Sequence, residues 1–170
     1  MSPGRGSQLS IRWEDSYLGQ LRQQVGSRML IAPAVRAVIE NREGELLLVK
    51  RRDNGEWVMP AGGLELHESI MDCLKREVKE ETGLNVLTAQ LFALYTEPRF
   101  EYTNGYGDAN KLFSCVFLVT EWDGALLRET DETTDAAFFP PDRLPELPAL
   151  YRETLADRNR FRLEGDVIVK

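Results

Sequence analysis

Apolar residues along this chain fall into short alternating or near-continuous runs broken by three stretches of helical spacing, a pattern that predicts sheet with a few helices. Trp13, Tyr17, Leu18, Leu21 and Val25 recur every three or four residues, so an amphipathic helix is predicted over 10–25 and stopped by Gly26. Residues 31–40 and 45–52 read as strands joined by Asn41-Arg42-Glu43-Gly44, a hairpin signal, and Asp53-Asn54-Gly55 turns the chain toward Trp57-Val58-Met59. Pro60-Ala61-Gly62-Gly63 then reads as a tight loop.

The next helix is specified at both ends. Ser69-Ile70-Met71-Asp72 forms a capping box that starts it near Ile70, and Gly83 stops it near Thr82. Met71, Leu74 and Val78 give it an apolar flank. Beyond it, 91–96 reads as a short strand, 103–110 as an exposed hairpin loop, and 112–122 as a central strand turned by Asp123-Gly124. After Ala137-Phe138-Phe139-Pro140, helical spacing returns over 147–155, and 167–169 is briefly β-like. Strands, helix, strands and a closing helix indicate an α+β fold, an α/β/α sandwich around a mixed sheet. The expected division is a mobile tail over 1–9, a helical extension over 10–30, one domain over 31–160 and a tail over 161–170.

Composition narrows the function. A chain of 170 residues with 42% apolar content suits one domain. The net charge of −7 and pI near 4.9 argue against nonspecific nucleic-acid or membrane binding. Cys73 and Cys115 are too few for a disulfide framework and read as buried free thiols, which suits a reducing cytoplasm. No apolar run approaches the roughly 18 residues of a membrane span, and the N-terminus lacks a secretory pattern, so a soluble cytoplasmic protein is expected.

The chemistry concentrates between Gly62 and Leu84. Glu77, Glu80 and Glu81 stand at i, i+3 and i+4, within an arc of about 100° on one helix face. Carboxylates this crowded repel one another unless they face open water or hold a cation. An all-oxygen site suits Mg²⁺ or Mn²⁺, which keep waters and accept substrate phosphate oxygens. Taken alone, KREVKEE is more often a solvated helix surface with an Arg76–Glu80 pair. The loop, helix and stop around it shift that balance.

The stretch resembles the signature of the Nudix hydrolases, G-x5-E-x7-R-E-U-x-E-E-x-G-U, where U is a bulky aliphatic residue. Gly62, Glu68, Arg76, Glu77, Val78, Glu80, Glu81, Gly83 and Leu84 match every fixed position. The resemblance implies Mg²⁺- or Mn²⁺-dependent hydrolysis of a phosphoanhydride. Glu80 and Glu81 would hold the metal, with the Gly62 carbonyl as an extra ligand. Glu77 joins them or takes the water's proton, Glu68 supports the site, and Arg76 holds the glutamates. An acid from a later loop often serves such enzymes as ligand or base, and Glu132 is the candidate, so Glu77 and Glu132 both stand as the base. The single histidine, His67, excludes mechanisms needing two and reads as a loop residue.

For the substrate, Arg36 or Arg52 is expected to bind phosphates. Phe100, Tyr102 and Tyr106 are expected beside the cleft, where rings stack a nucleobase. In the family a proline beyond the signature accompanies ADP-ribose hydrolysis and a tyrosine slightly further on accompanies dinucleoside polyphosphate hydrolysis. Pro98 and Tyr102 fall near both places. The expected substrate is a small nucleotide, ADP-ribose or a nucleotide sugar first, with an oxidised or ordinary nucleoside triphosphate or a dinucleoside polyphosphate as alternative. A noncatalytic nucleotide sensor is the alternative of another class. No nucleic-acid polymer or membrane partner is expected. The N-terminal helix offers domain packing, or a homodimer contact or pocket wall.

Overall fold

The computed structural model describes residues 10–104 and 106–170, and the tail expected over 1–9 lies outside them. A helix α1 (Tyr17–Val25) leads into strands β1 (Leu30–Ile39), β2 (Leu46–Arg51), β3 (Trp57–Val58) and β4 (Ala61–Gly63). Helix α2 (Ile70–Thr82) follows, then β5 (Asn85–Tyr95), β6 (Glu101–Thr103), β7 (Ala109–Asp123) and β8 (Thr133–Phe139). The chain closes with α3 (Ala149–Glu164) and β9 (Ile168–Val169).

One mixed sheet runs β4-β1-β7-β5-β9, with β6 also paired to β7, and a smaller antiparallel sheet runs β3-β2-β8. Strand β1 lies parallel to β7 and antiparallel to β4, while β5 is antiparallel to β7 and parallel to β9. Side chains alternate across such a sheet, so each face has its own core. Val35, Ala37, Ile39, Phe117 and Val119 pack with Cys73, Leu74 and Val78 of α2. Val38, Leu112, Val116, Leu118 and Phe92 pack on the other face, against Leu150, Tyr151, Leu155 and Phe161 of α3. The expected α/β/α sandwich is therefore present.

Several local expectations needed correction. The first helix starts later than predicted: a 3₁₀ turn spans Trp13–Asp15, and the Ser16 hydroxyl caps α1 by accepting from the Gly19 amide at 3.1 Å. Strands β1 and β2 form no hairpin ladder, because only the Glu40–Leu46 bridge joins them before they part into different sheets. The presumed loop at Ala61–Gly63 is strand β4, paired to β1. The stretch 161–170 is built into the fold: α3 continues to Glu164, Phe161 reaches Phe92, and β9 pairs with β5. Both cysteines are free, but only Cys73 is fully buried.

Candidate active site

Helix α2 begins and ends where its caps dictate. Ser69 Oγ accepts from the Asp72 amide at 3.1 Å, Asp72 accepts from the Ser69 amide at 3.2 Å, and Gly83 takes the left-handed conformation, φ 77°, that ends the helix. Apolar packing of Cys73, Leu74 and Val78 then turns Glu77, Glu80 and Glu81 inward, where all three are buried. Gly62 of β4 sits directly against the Glu77 carboxylate: a Cβ there would lie 1.9 Å from its carboxyl carbon, so only glycine lets the strand and the acid approach.

Arg76 organises the cluster. Its Nε and Nη2 donate to Glu68 at 2.9 and 2.6 Å, Nη1 donates to Glu77 at 2.6 Å and Glu80 at 3.1 Å, and Nη2 also reaches the Gly63 carbonyl at 2.9 Å. Glu81 lies deeper and accepts from the Ala61 amide at 3.0 Å. Glu132 stands exposed on the loop before β8; its carbonyl accepts from the Arg52 amide at 2.9 Å, and its charge is felt by Glu77, Glu80 and Glu81.

One arginine cannot neutralise this many acids. Burial pushes Glu77 up to about 7, with Arg76 opposing and the charges of Glu80 and Glu132 adding. Burial likewise raises Glu80, and it raises Glu81 well above the usual carboxylate range together with the charges of Glu77 and Glu132. Burial also acts on Glu68, but bonds from Arg76 and the Glu65 amide outweigh it and leave that acid below its ordinary value.

A hard divalent cation is the chemical complement of such an all-carboxylate set, so Glu77, Glu80, Glu81 and Glu68 fit one. As they stand, no group of three such side chains among the described residues encloses an ion, because Arg76 Nη1 lies between Glu77 and Glu80.

The residues expected at the substrate divide. Arg36 is buried on the α3 face of β1, donates to Thr154 Oγ1 at 3.1 Å, and lays its guanidinium 4.5 Å from the Tyr151 ring centre. Arg52 is tied to Glu129 at 2.9 Å and to the carbonyls of Thr130 and Thr133. Phe100 points inward, stacked on Tyr95 with ring centres 5.1 Å apart. Tyr102 is half exposed, and Tyr106 stands almost fully in solvent.

Arg51, not singled out in the sequence, takes a more central place. It pairs with Asp53 at 2.8 and 2.5 Å, and its charge reaches Glu81, Tyr151 and Tyr102. Opposite the step from Lys50 to Arg51, strand β8 carries one extra residue, Thr134, and the ladder shifts register there. Nothing in a single sequence marks that shift.

Similarity to known proteins agrees with this geometry. The NUDIX domain profile matches residues 30–158. A MutT-like protein of Streptomyces ambofaciens is 32% identical over 149 residues, covering 88% of this chain and 87% of that protein. The ADP-ribose pyrophosphatase of Methanocaldococcus jannaschii is 30% identical over 134 residues, covering 77% and 75%. A crystal structure of the MutT protein from Methanosarcina mazei superimposes with a TM-score of 0.64 at 23% identity over 81% of this chain and 97% of that one, which speaks for the fold. No described helix is long and apolar enough to cross a membrane. The signature on α2, the acids gathered around Arg76 and the match over most of its length place this chain in the Nudix family of pyrophosphohydrolases.

Proposed function

We propose that this protein hydrolyses the phosphoanhydride bond of a nucleoside diphosphate linked to another moiety, with ADP-ribose or a nucleotide sugar as substrate and Mg²⁺ or Mn²⁺ as cofactor. The observation that carries this reading is the gathering of Glu68, Glu77 and Glu80 around Arg76, with the charges of Glu81 and Glu132 acting on the same group and Arg51 close enough to reach Glu81. The relative named ADP-ribose pyrophosphatase supports the choice of substrate.

Glu77, Glu80 and Glu81 would hold the metal, with Glu68 and the Gly62 carbonyl in support. When bound, the ion neutralises charge on the pyrophosphate oxygens and activates a water. The chain's own groups do the rest. Arg76 sets the positions of Glu68, Glu77 and Glu80 through its bonds to each. Glu132 takes the water's proton, because it stands exposed on the loop before β8 with its charge acting on the buried acids, while Glu77 is packed against Gly62 and bonded to Arg76. Arg51 and Arg36 receive phosphate oxygens, for which a planar guanidinium is suited. Tyr102, half exposed beside Arg51, offers its ring face to the base. Tyr106 stands further out and Phe100 faces the core, so both contribute less to binding in this reading.

A relative named a putative 8-oxo-dGTP diphosphatase keeps nucleoside triphosphates as the second reading. A turnover panel with Mg²⁺ or Mn²⁺ over ADP-ribose, nucleotide sugars, triphosphates and dinucleoside polyphosphates separates the two. The reading expects kcat/KM for ADP-ribose or a nucleotide sugar to exceed that for any triphosphate by about tenfold or more. A preference for triphosphates overturns the choice of substrate, and tight binding of one nucleotide with no turnover of any points to a sensor.

A further inference from the structure

Among the described residues, the N-terminal helix is joined to the loop 64–68 by a hydrogen bond whose partners lead to the acids. Tyr17, the first residue of α1, donates its amide to Glu65 Oε2 at 2.8 Å. That amide is one of the helix-end donors that have no partner within the helix, and it meets a carboxylate at the positive end of the helix dipole. The Glu65 amide in turn donates to Glu68 Oε1 at 2.9 Å, and Glu68 receives both branches of Arg76. Arg76 then holds Glu77 and Glu80.

The far end of α1 is fixed independently. Arg22 is buried and donates to the carbonyls of Gly26, Arg28 and Ala109 and to Asn110 Oδ1, at 2.5 to 2.9 Å. Asn110 belongs to β7, the central strand, so α1 is a strut braced on the sheet at one end and on the loop 64–68 at the other. Glu65 occupies a variable position of the signature, which the family resemblance leaves without a role. A cleft of about 420 Å³ separates the two elements and is lined by Ile11, Tyr17 and Gln20 on one side and by Glu68 and Arg76 on the other.

We propose that Glu65 is a positioning residue: through it, helix α1 holds the motif loop, and with it Glu68 and Arg76, in the arrangement that catalysis requires. This rests on the reading of the Glu68–Glu81 cluster as the catalytic centre. The physical basis is a chain of four hydrogen-bonded groups, Tyr17, Glu65, Glu68 and Arg76, through which a loop shift on the order of 1 Å moves Arg76 relative to two metal-binding acids. An acceptor at position 65 is what matters, not its charge, because the partner is a backbone amide.

The test is a double-mutant cycle in the full-length protein. Tyr17 is the first helical position, where proline is tolerated, and Ser16 before it is already extended at φ −71°, ψ 154°. Tyr17→Pro therefore removes the donated N–H, while Tyr17→Ala removes the ring and keeps it. Glu65→Ala and Tyr17→Pro are each expected to lower kcat about tenfold, with KM within about twofold. Tyr17→Ala and Glu65→Gln are expected to retain activity near that of the parent. The double variant Tyr17→Pro/Glu65→Ala is expected to be no worse than either alone.

Mn²⁺ affinity and thermal midpoint are read on the same proteins. The cycle is scored on whichever phosphoanhydride the parent hydrolyses, and on Mn²⁺ affinity if it hydrolyses none, so a wrong choice of substrate leaves it intact. Equal effects of Tyr17→Pro and Tyr17→Ala, a Glu65→Gln as impaired as Glu65→Ala, or fully additive losses would each overturn the proposal. So would a fall in thermal midpoint with kcat and Mn²⁺ affinity unchanged.

Discussion

On α3, Asp157 accepts from Tyr95 Oη at 2.7 Å and from Lys170 Nζ at 2.9 Å, while Glu153 is clamped by Arg99 at 2.7 and 3.0 Å and by Lys170 at 2.7 Å. Each acid there has its cation, and Glu153, held chiefly by the Arg99 bond, falls to about 2. On α2 the opposite holds. Glu68, Glu77 and Glu80 share one arginine, Glu81 is bonded to a backbone amide with the Arg51 charge acting from further off, and burial lifts Glu77 to about 7. A charge-matched cluster braces the fold by itself; a cluster with acids in excess is complete only with a cation from outside. The imbalance, more than the presence of acids, separates the site from the scaffold.

The largest expected contrast comes from removing one acid on each side. Glu80→Gln should lower kcat by about two orders of magnitude or more, because it removes a charge the metal needs. Its thermal midpoint should match or exceed that of the parent, since a repelled carboxylate is gone. Asp157→Ala should do the reverse: about 3 kcal/mol of stability lost in chemical denaturation, as Tyr95 and Lys170 lose their shared partner, with turnover per folded molecule within about twofold. Equal stability losses in both variants would erase the distinction.

A smaller contrast lies in pH. Glu153 titrates in the fold near 2, below its ordinary 4.5, so its contribution is complete above 4.5 and drains as pH falls toward 2. Glu77 titrates in the fold near 7, above its ordinary 4.5, so its contribution is complete below 4.5 and is lost as pH rises through 7. Denaturation curves without divalent ions should show Glu153→Gln less stable than the parent by about 1 kcal/mol above pH 4.5, a figure reduced for solvent screening, and converging with it in acid. Glu77→Gln should instead gain on the parent as pH rises from 4.5 toward 7 and keep that gain above it. Parallel pH profiles for the two variants would contradict the comparison.

How much of this was legible in advance follows the range of the forces involved. Both ends of α2 were readable because Ser69, Asp72 and Gly83 act within a turn of the helix they delimit. The spacing that brings Glu77 and Glu80 to Arg76 was readable for the same reason, being local to one helix. What escaped depends on partners distant in sequence. Strand β4 exists because β1 offers a free edge to Ala61–Gly63. Helix α3 outruns its apolar pattern because Phe161 finds Phe92, and Arg158 and Arg162 both find Glu40. Phe100 turned inward to stack on Tyr95, which its place beside a polar loop did not foretell. The choice between Arg51 and Arg52 hung on partners distant in sequence: Glu129 and the carbonyls of Thr130 and Thr133 take Arg52, and the charge that reaches Glu81 is that of Arg51.

The most direct test of the central claim is Mn²⁺ binding to the metal-free protein, followed by calorimetry near pH 7.5 for the parent and for Glu80→Gln. A cluster with acids in excess predicts saturable binding in the parent, weakened at least tenfold in the variant, with protons released on binding as raised carboxylates ionise. Equal affinity in the two proteins, or no saturable binding in the parent, would contradict it.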